Sequence, residues 1–180
     1  NLENIEMQKE QKVLENKEIV LKELKFEEYI KPISATSSST NEDNLATKLG
    51  TITHKIFELY WDKFDEIDIE LIHNKFEIIE ENEQSKIKNS IENFKNSNVY
   101  KLLKSDVEHR FELEFNYQDK KGFIDLVYFD KSKAGWVIVD FKTGIKSQEK
   151  EEKYQTQLKF YEEVLSDIGM SVVGKEILWV

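Results

Sequence analysis

Apolar residues recur at helical spacing through the first half of the chain and at every second position after it. Residues 3–25 mix Glu and Lys with Ile5, Val13, Ile19, Val20 and Leu24, a pattern that predicts a peripheral or connecting helix of modest amphipathicity. The run from Ser34 to Asp43 is rich in Ser, Thr and acids and predicts an exposed loop feeding a helix N-terminus. That helix should span about 44–64, with Ile52, Ile56, Leu59 and Tyr60 on its apolar face and His54 opposite, one turn before Glu58. Further helical pieces are expected at 65–80 and 83–104, the second carrying Ile87, Ile91, Phe94, Val99 and Leu102.

The period then changes to two. Phe111, Leu113, Phe115 and Tyr117 should share one face of a strand, with Glu112 and Glu114 on the other. A turn at Gln118 to Gly122 leads into Phe123-Ile124-Asp125-Leu126-Val127, and a second at Asp130 to Gly135 leads into Trp136-Val137-Ile138-Val139-Asp140. A helix over about 149–167 follows, stopped by Gly169, with Tyr154, Leu158, Tyr161 and Leu165 in one stripe and Gln157 beside it. Lys175 to Val180 reads as a last strand. The order of helix, three antiparallel strands, helix and strand predicts an α/β fold: a small mixed central sheet flanked by helices, over 44–180, with 1–43 as a peripheral helix and loop leading in.

At 180 residues, 39% hydrophobic and 12% aromatic, the chain suits one globular domain with a full core. One proline and six glycines leave little room for low-complexity linkers. The lack of cysteine excludes disulfides, zinc–cysteine sites and iron–sulfur clusters, and fits a reducing, cytoplasmic setting. No apolar stretch approaches the ~20 residues needed to cross a bilayer, so no membrane partner is expected. Asn1-Leu2-Glu3-Asn4 opens a charged segment unlike a signal peptide, and a start without methionine is expected of a piece of a longer protein. The formal charge of -10 argues against nucleic-acid binding by net electrostatics alone. It does not argue against a metal site built on carboxylates, because such ligands themselves add negative charge.

Asp140 and Lys142 end a very apolar strand with one residue between them, so alternation sets them side by side on one face. Burying an unpaired carboxylate is costly, and a divalent cation held between Asp125 and Asp140 would offset it. Phosphodiester hydrolysis needs such a cation to polarise the phosphate, and a positive group to stabilise charge in the transition state. Hard oxygen ligands from Asp125, Asp140 and the backbone carbonyl of Phe141 suit Mg²⁺ or Mn²⁺, and Lys142 would supply the positive group. Taken alone, Asp140 and Lys142 are an edge-strand salt pair and Asp125 a turn or surface acid.

The joint pattern carries more. Gly50-Thr51-x-x-His54, Glu112 within Arg110 to Phe115, Gly122-x-x-Asp125, Asp140-Phe141-Lys142-Thr143 and Tyr154-x-x-Gln157-Leu158-x-x-Tyr161 occur in the order and spacing of RecB-type nuclease domains. From residue 44 on, the chain resembles the AddA-type branch of that family, within the PD-(D/E)xK superfamily and its restriction-endonuclease-like core. The resemblance implies that His54, Asp125 and Asp140 ligate the metal and that Lys142 is the catalytic lysine. It also implies that Gln157 and Tyr161 border the site and help position DNA or catalytic groups, while Glu112 supports the metal strand. Tyr154 and Leu158 read as core packing, and His73 and His109 match no motif and read as surface residues.

The function implied is a metal-dependent DNA exonuclease acting on a single strand delivered by upstream helicase domains of the same parent chain, in double-strand-break repair and recombination, with a second helicase–nuclease subunit as partner. Related nucleases built around a four-cysteine iron–sulfur cluster are excluded by composition. No Gly-x-x-x-x-Gly-Lys-Ser/Thr loop is present, so this chain has no ATP site of that kind. Two other readings remain open: a catalytically silent nuclease-fold module that guides DNA or holds a subunit, and a stand-alone PD-(D/E)xK defence nuclease.

Overall fold

The computed structural model describes residues 41–180, so the expected helix at 3–25 and most of the expected loop at 34–43 lie outside the described residues. Helix α1, Asn41–Tyr60, continues into a single 3-10 turn at Trp61–Lys63, close to the extent its apolar stripe predicts. It buries Leu49, Ile52, Ile56 and Phe57. Helix α2, Ile69–Lys75, is shorter than its pattern suggests and is capped by Asp68, whose side chain accepts from the Glu70 N–H at 3.0 Å. The expected helix over 83–104 is instead two, α3 at Glu81–Asn96 and α4 at Asn98–Leu103. Ser97 divides them: its backbone is extended, and its hydroxyl caps α4 by accepting from the Tyr100 N–H at 3.1 Å.

Strand β1, His109–Tyr117, and β2, Lys120–Asp130, form an antiparallel hairpin closed by two residues. Gln118 and Asp119 both take positive φ, 48° and 61°, which is the turn that matches strand twist; β2 therefore starts before Gly122 rather than after it. Strand β3, Gly135–Lys142, pairs antiparallel with β2, and helix α5, Gln148–Asp167, crosses to β4, Val172–Trp179, which runs parallel to β3. The sheet order is β1-β2-β3-β4. It is the mixed four-stranded sheet with flanking helices that the pattern predicts. Gly169, at φ 81°, stops α5: its N–H donates to the Ser166 carbonyl and the Met170 N–H to that of Leu165.

The sheet separates two cores. On one face, α1 to α4 pack against Leu126, Tyr128, Val137, Val139 and Phe141. Phe57, fully buried, stacks on Phe94 at 4.4 Å, and Phe141 meets both edge-on at 5.1 and 5.3 Å. On the other face, α5 places Leu158, Tyr161 and Leu165 over Ile124, Val127 and Ile138.

His73 and His109 are not the surface residues the sequence suggests. His73 is only 8% exposed, and burial lowers its pKa below the usual value. His109 is half-buried, with its ring edge-on to Trp61 at 4.8 Å and Nδ1 2.8 Å from the Val107 carbonyl.

Candidate active site

Alternation fails at one level of the sheet. In β1, Phe111 packs in the first core but Leu113 and Phe115 pack in the second, so the strand turns over at Glu112. The expectation that Phe111 shares a face with Leu113 and Phe115 is therefore wrong. The cause is the backbone of Glu112, whose φ of 47° is rare for a non-glycine residue and costs on the order of 1–2 kcal/mol. In β2 the same reversal occurs at Asp125, since Ile124 lies in the second core and Leu126 in the first.

Registers explain what this achieves. The β1–β2 pairing runs Phe111↔Leu126 and Leu113↔Ile124, setting Glu112 opposite Asp125. The β2–β3 pairing ends at Leu126↔Val139, one step short of Asp125 and Asp140. Glu112, Asp125 and Asp140 thus occupy one row across three neighbouring strands. Strand β3 does keep its alternation: Val137, Val139 and Phe141 face the first core, which leaves Asp140 and Lys142 together on the α5 side as predicted.

His54 comes to this row from α1. Gly50, one turn earlier, would carry a Cβ only 3.2 Å from the Thr143 hydroxyl, so the lack of a side chain lets α1 lie against the end of β3. His54 Nδ1 lies 3.3 Å from Asp125 Oδ1, its ring edge-on to Phe141 at 5.8 Å. The other Asp125 oxygen accepts from the Phe141 backbone N–H at 2.8 Å. Lys142 Nζ is 2.7 Å from Asp140 Oδ2 and stands 4.5 Å from the centre of the Tyr154 ring. Gln157 Nε2 donates to the Tyr161 hydroxyl at 2.6 Å. Tyr154, expected in the core, is half-buried and belongs to neither core, whereas Leu158 is fully buried as expected.

Electrostatics divide the two central carboxylates. Burial works to raise the Asp125 pKa, but the His54 imidazole, Lys142 and the Phe141 N–H outweigh it and hold the group below the usual carboxylate range. Burial and the Asp125 charge push Asp140 the other way, up to about 6, despite Lys142. Burial likewise works to lower His54, and Asp125 outweighs it, so the imidazole titrates above its ordinary value. Burial and the charges of Asp125 and Asp140 raise the Tyr161 phenol, which stays protonated at neutral pH.

Three groups of this site can converge on one ion. Ligand atoms of His54, Glu112 and Asp125 all lie within 4.8 Å of one another. Asp140 is 1% exposed, and its Oδ1 has no hydrogen-bond partner among the described residues. A buried carboxylate oxygen without a partner next to a His and carboxylate cluster fits a divalent cation with oxygen and imidazole ligands.

The model of the PD-(D/E)XK nuclease superfamily matches residues 25–179. The chain belongs to the PD-(D/E)XK nuclease superfamily. A search of the curated proteins finds no match. Among the described residues, no helix is long and apolar enough to cross a membrane.

The sequence points to Glu112 beside the metal strand but misses the left-handed backbone that turns it into the row, which the residue type does not signal. Tyr154 against Lys142 was missed as well. Its place in an apolar stripe does not distinguish a core ring from one facing a lysine.

Proposed function

We propose that this chain is the nuclease domain of a RecB-type helicase–nuclease of the AddA-like branch, hydrolysing DNA phosphodiesters with Mg²⁺ or Mn²⁺. The observation that carries the reading is the row of Glu112, Asp125 and Asp140, with His54 3.3 Å from Asp125 and Lys142 2.7 Å from Asp140. His54, Asp125 and Asp140 would hold the ion, with the Phe141 carbonyl and Glu112 as further ligands. The mixed His and carboxylate set suits Mn²⁺ at least as well as Mg²⁺. When bound, the cation lowers the pKa of a water and withdraws charge from the phosphate.

The chain's own residues do the rest. Lys142 presents an ammonium to the charge that develops on the phosphate oxygens, in a site partly shielded from solvent. Tyr161, kept protonated and engaged by Gln157, offers its O–H toward the carboxylate row or a phosphate oxygen. Asp125 orients His54 and ties down the Phe141 backbone.

The substrate in this reading is a single DNA strand, fed by helicase domains elsewhere in the parent chain, during break repair alongside a second subunit. The net charge of -10 supports dependence on such feeding, because an acidic domain gains little affinity from counterion release. The intact Lys142 and carboxylate row count against a catalytically silent module. The test is cleavage by the 180-residue chain of labelled single-stranded and blunt duplex DNA with Mn²⁺, at low and physiological salt. Slow, salt-sensitive cutting that favours the single strand is expected. Fast duplex cutting indifferent to salt would point to a stand-alone enzyme, and no cutting of either substrate would remove the nuclease reading.

A further inference from the structure

We infer that Tyr154 is a positioning residue for Lys142, its ring forming the wall that keeps the ammonium at the carboxylate row. The inference rests on the nuclease reading for its functional half alone; the contact itself stands on geometry. A lysine stem has enough rotatable bonds to swing its charge several ångströms, so Nζ stays in place only if its surroundings hold it. Two contacts do so here. One is Asp140 Oδ2 at 2.7 Å, and the other is the face of Tyr154, with Nζ 4.5 Å from the ring centre.

These contacts differ in what happens when a cation enters. Asp140 would then share its charge with the ion and hold the ammonium less firmly. The Tyr154 face carries no net charge and offers little to a hard ion, so its attraction for Lys142 persists. The ring is itself braced: the β3–β4 register sets Trp179 beside Lys142, and the Trp179 and Tyr154 rings lie 6.0 Å apart at 57°. Tyr154 thus meets both the lysine and the tryptophan paired with it in the neighbouring strand. In the α5 stripe Leu158, Tyr161 and Leu165 go into the second core, and Tyr154 does not. The requirement is for a ring face, not a hydroxyl.

Lysine-selective ¹³C NMR and steady-state kinetics on the 180-residue chain test this together. In the parent and in Tyr154→Phe, the Lys142 ε-methylene signals should be moved upfield by the ring, and in Tyr154→Leu they should return to the position of a solvated lysine. With Mn²⁺ and a single-stranded oligonucleotide, Tyr154→Leu should lower kcat by about tenfold while KM stays within about twofold, and Tyr154→Phe should match the parent. Should the leucine variant fail to fold by circular dichroism, Tyr154→Met replaces it as the variant without a ring. An unshifted Lys142 in the parent, parental kcat in the leucine variant, a phenylalanine variant as slow as the leucine one, or an effect on KM alone would each overturn the assignment. If the parent does not cut at all, the nuclease reading fails by itself, and the NMR arm still decides whether Tyr154 holds Lys142.

Discussion

The backbone N–H of Phe141 donates to Oδ2 of Asp125 at 2.8 Å, at the level where the β2–β3 ladder has just ended. A carboxylate there stands in for the carbonyl that would otherwise pair with that amide. The same substitution leaves the remaining Asp125 oxygen aimed at His54. Asp125 is thereby fixed from both sides, while among the described residues Asp140 is held by Lys142 alone, and this asymmetry leads to the first prediction.

Metal-free chain should be limited by Asp140 at neutral pH. Its folded-state pKa, about 6, lies above the ordinary 3.8, so its contribution to stability is full below that ordinary value and is lost as pH rises through about 6. In EDTA at pH 7.5, Asp140→Asn should melt higher than the parent by about 3 °C or more. Lys142 keeps the face of Tyr154 in the variant, and its 16% exposure gives the ammonium access to water there. A lower melting temperature for the variant would mean that the ionised carboxylate is well accommodated.

Glu112 should show opposite effects with and without metal. At φ 47° a glycine relieves strain that Glu bears, which offsets the usual cost of glycine in a strand. Glu112→Gly should therefore melt no lower than the parent in EDTA, yet lose most of the upward shift that millimolar Mn²⁺ gives the parent by mass action. Parental Mn²⁺ shifts in both Glu112→Gly and Glu112→Gln would remove Glu112 from the ligands.

Lys142 should separate binding from chemistry. Lys142→Ala should keep the Mn²⁺ shift in melting temperature and lose cleavage by ~10² or more, the scale of one transition-state electrostatic group. Parental rates in that variant, measured on a single-stranded oligonucleotide, would rule out the role assigned to it.

Phe57 should act on the site only through the fold. It is fully buried between Phe94 and Phe141, and Phe57→Ala should cost about 3–5 kcal/mol in urea unfolding. A cost below about 1 kcal/mol would mean that the aromatic cluster closes around the gap.

Much of this was readable from the chain itself. Asp140 and Lys142 share a face because β3 is regular, and regular strands obey alternation. The end of α5 was legible because Gly169 takes the left-handed position that favours glycine. The break at Ser97 was not foreseen: apolar positions at Phe94, Val99 and Leu102 keep near-helical spacing across it, and only the cap-forming run Asn96-Ser97-Asn98 hints at the interruption. The reversals at Glu112 and Asp125 were hidden for a different reason. They arise from cross-strand demands on the backbone, against the local preference of Glu, and such demands exist only once the strands have paired.

Those reversals also set a lower limit on what can be transplanted. Between them β1 and β2 line both cores, with Phe111, Leu126 and Tyr128 in the first and Leu113, Phe115, Ile124 and Val127 in the second, so the acidic row is backed by both helix layers at once. Grafting the strands onto another scaffold, or trimming away either layer, would leave apolar side chains of both strands in water and the strands free to twist back into register. The smallest portable unit is therefore the sheet together with the helices on both of its faces.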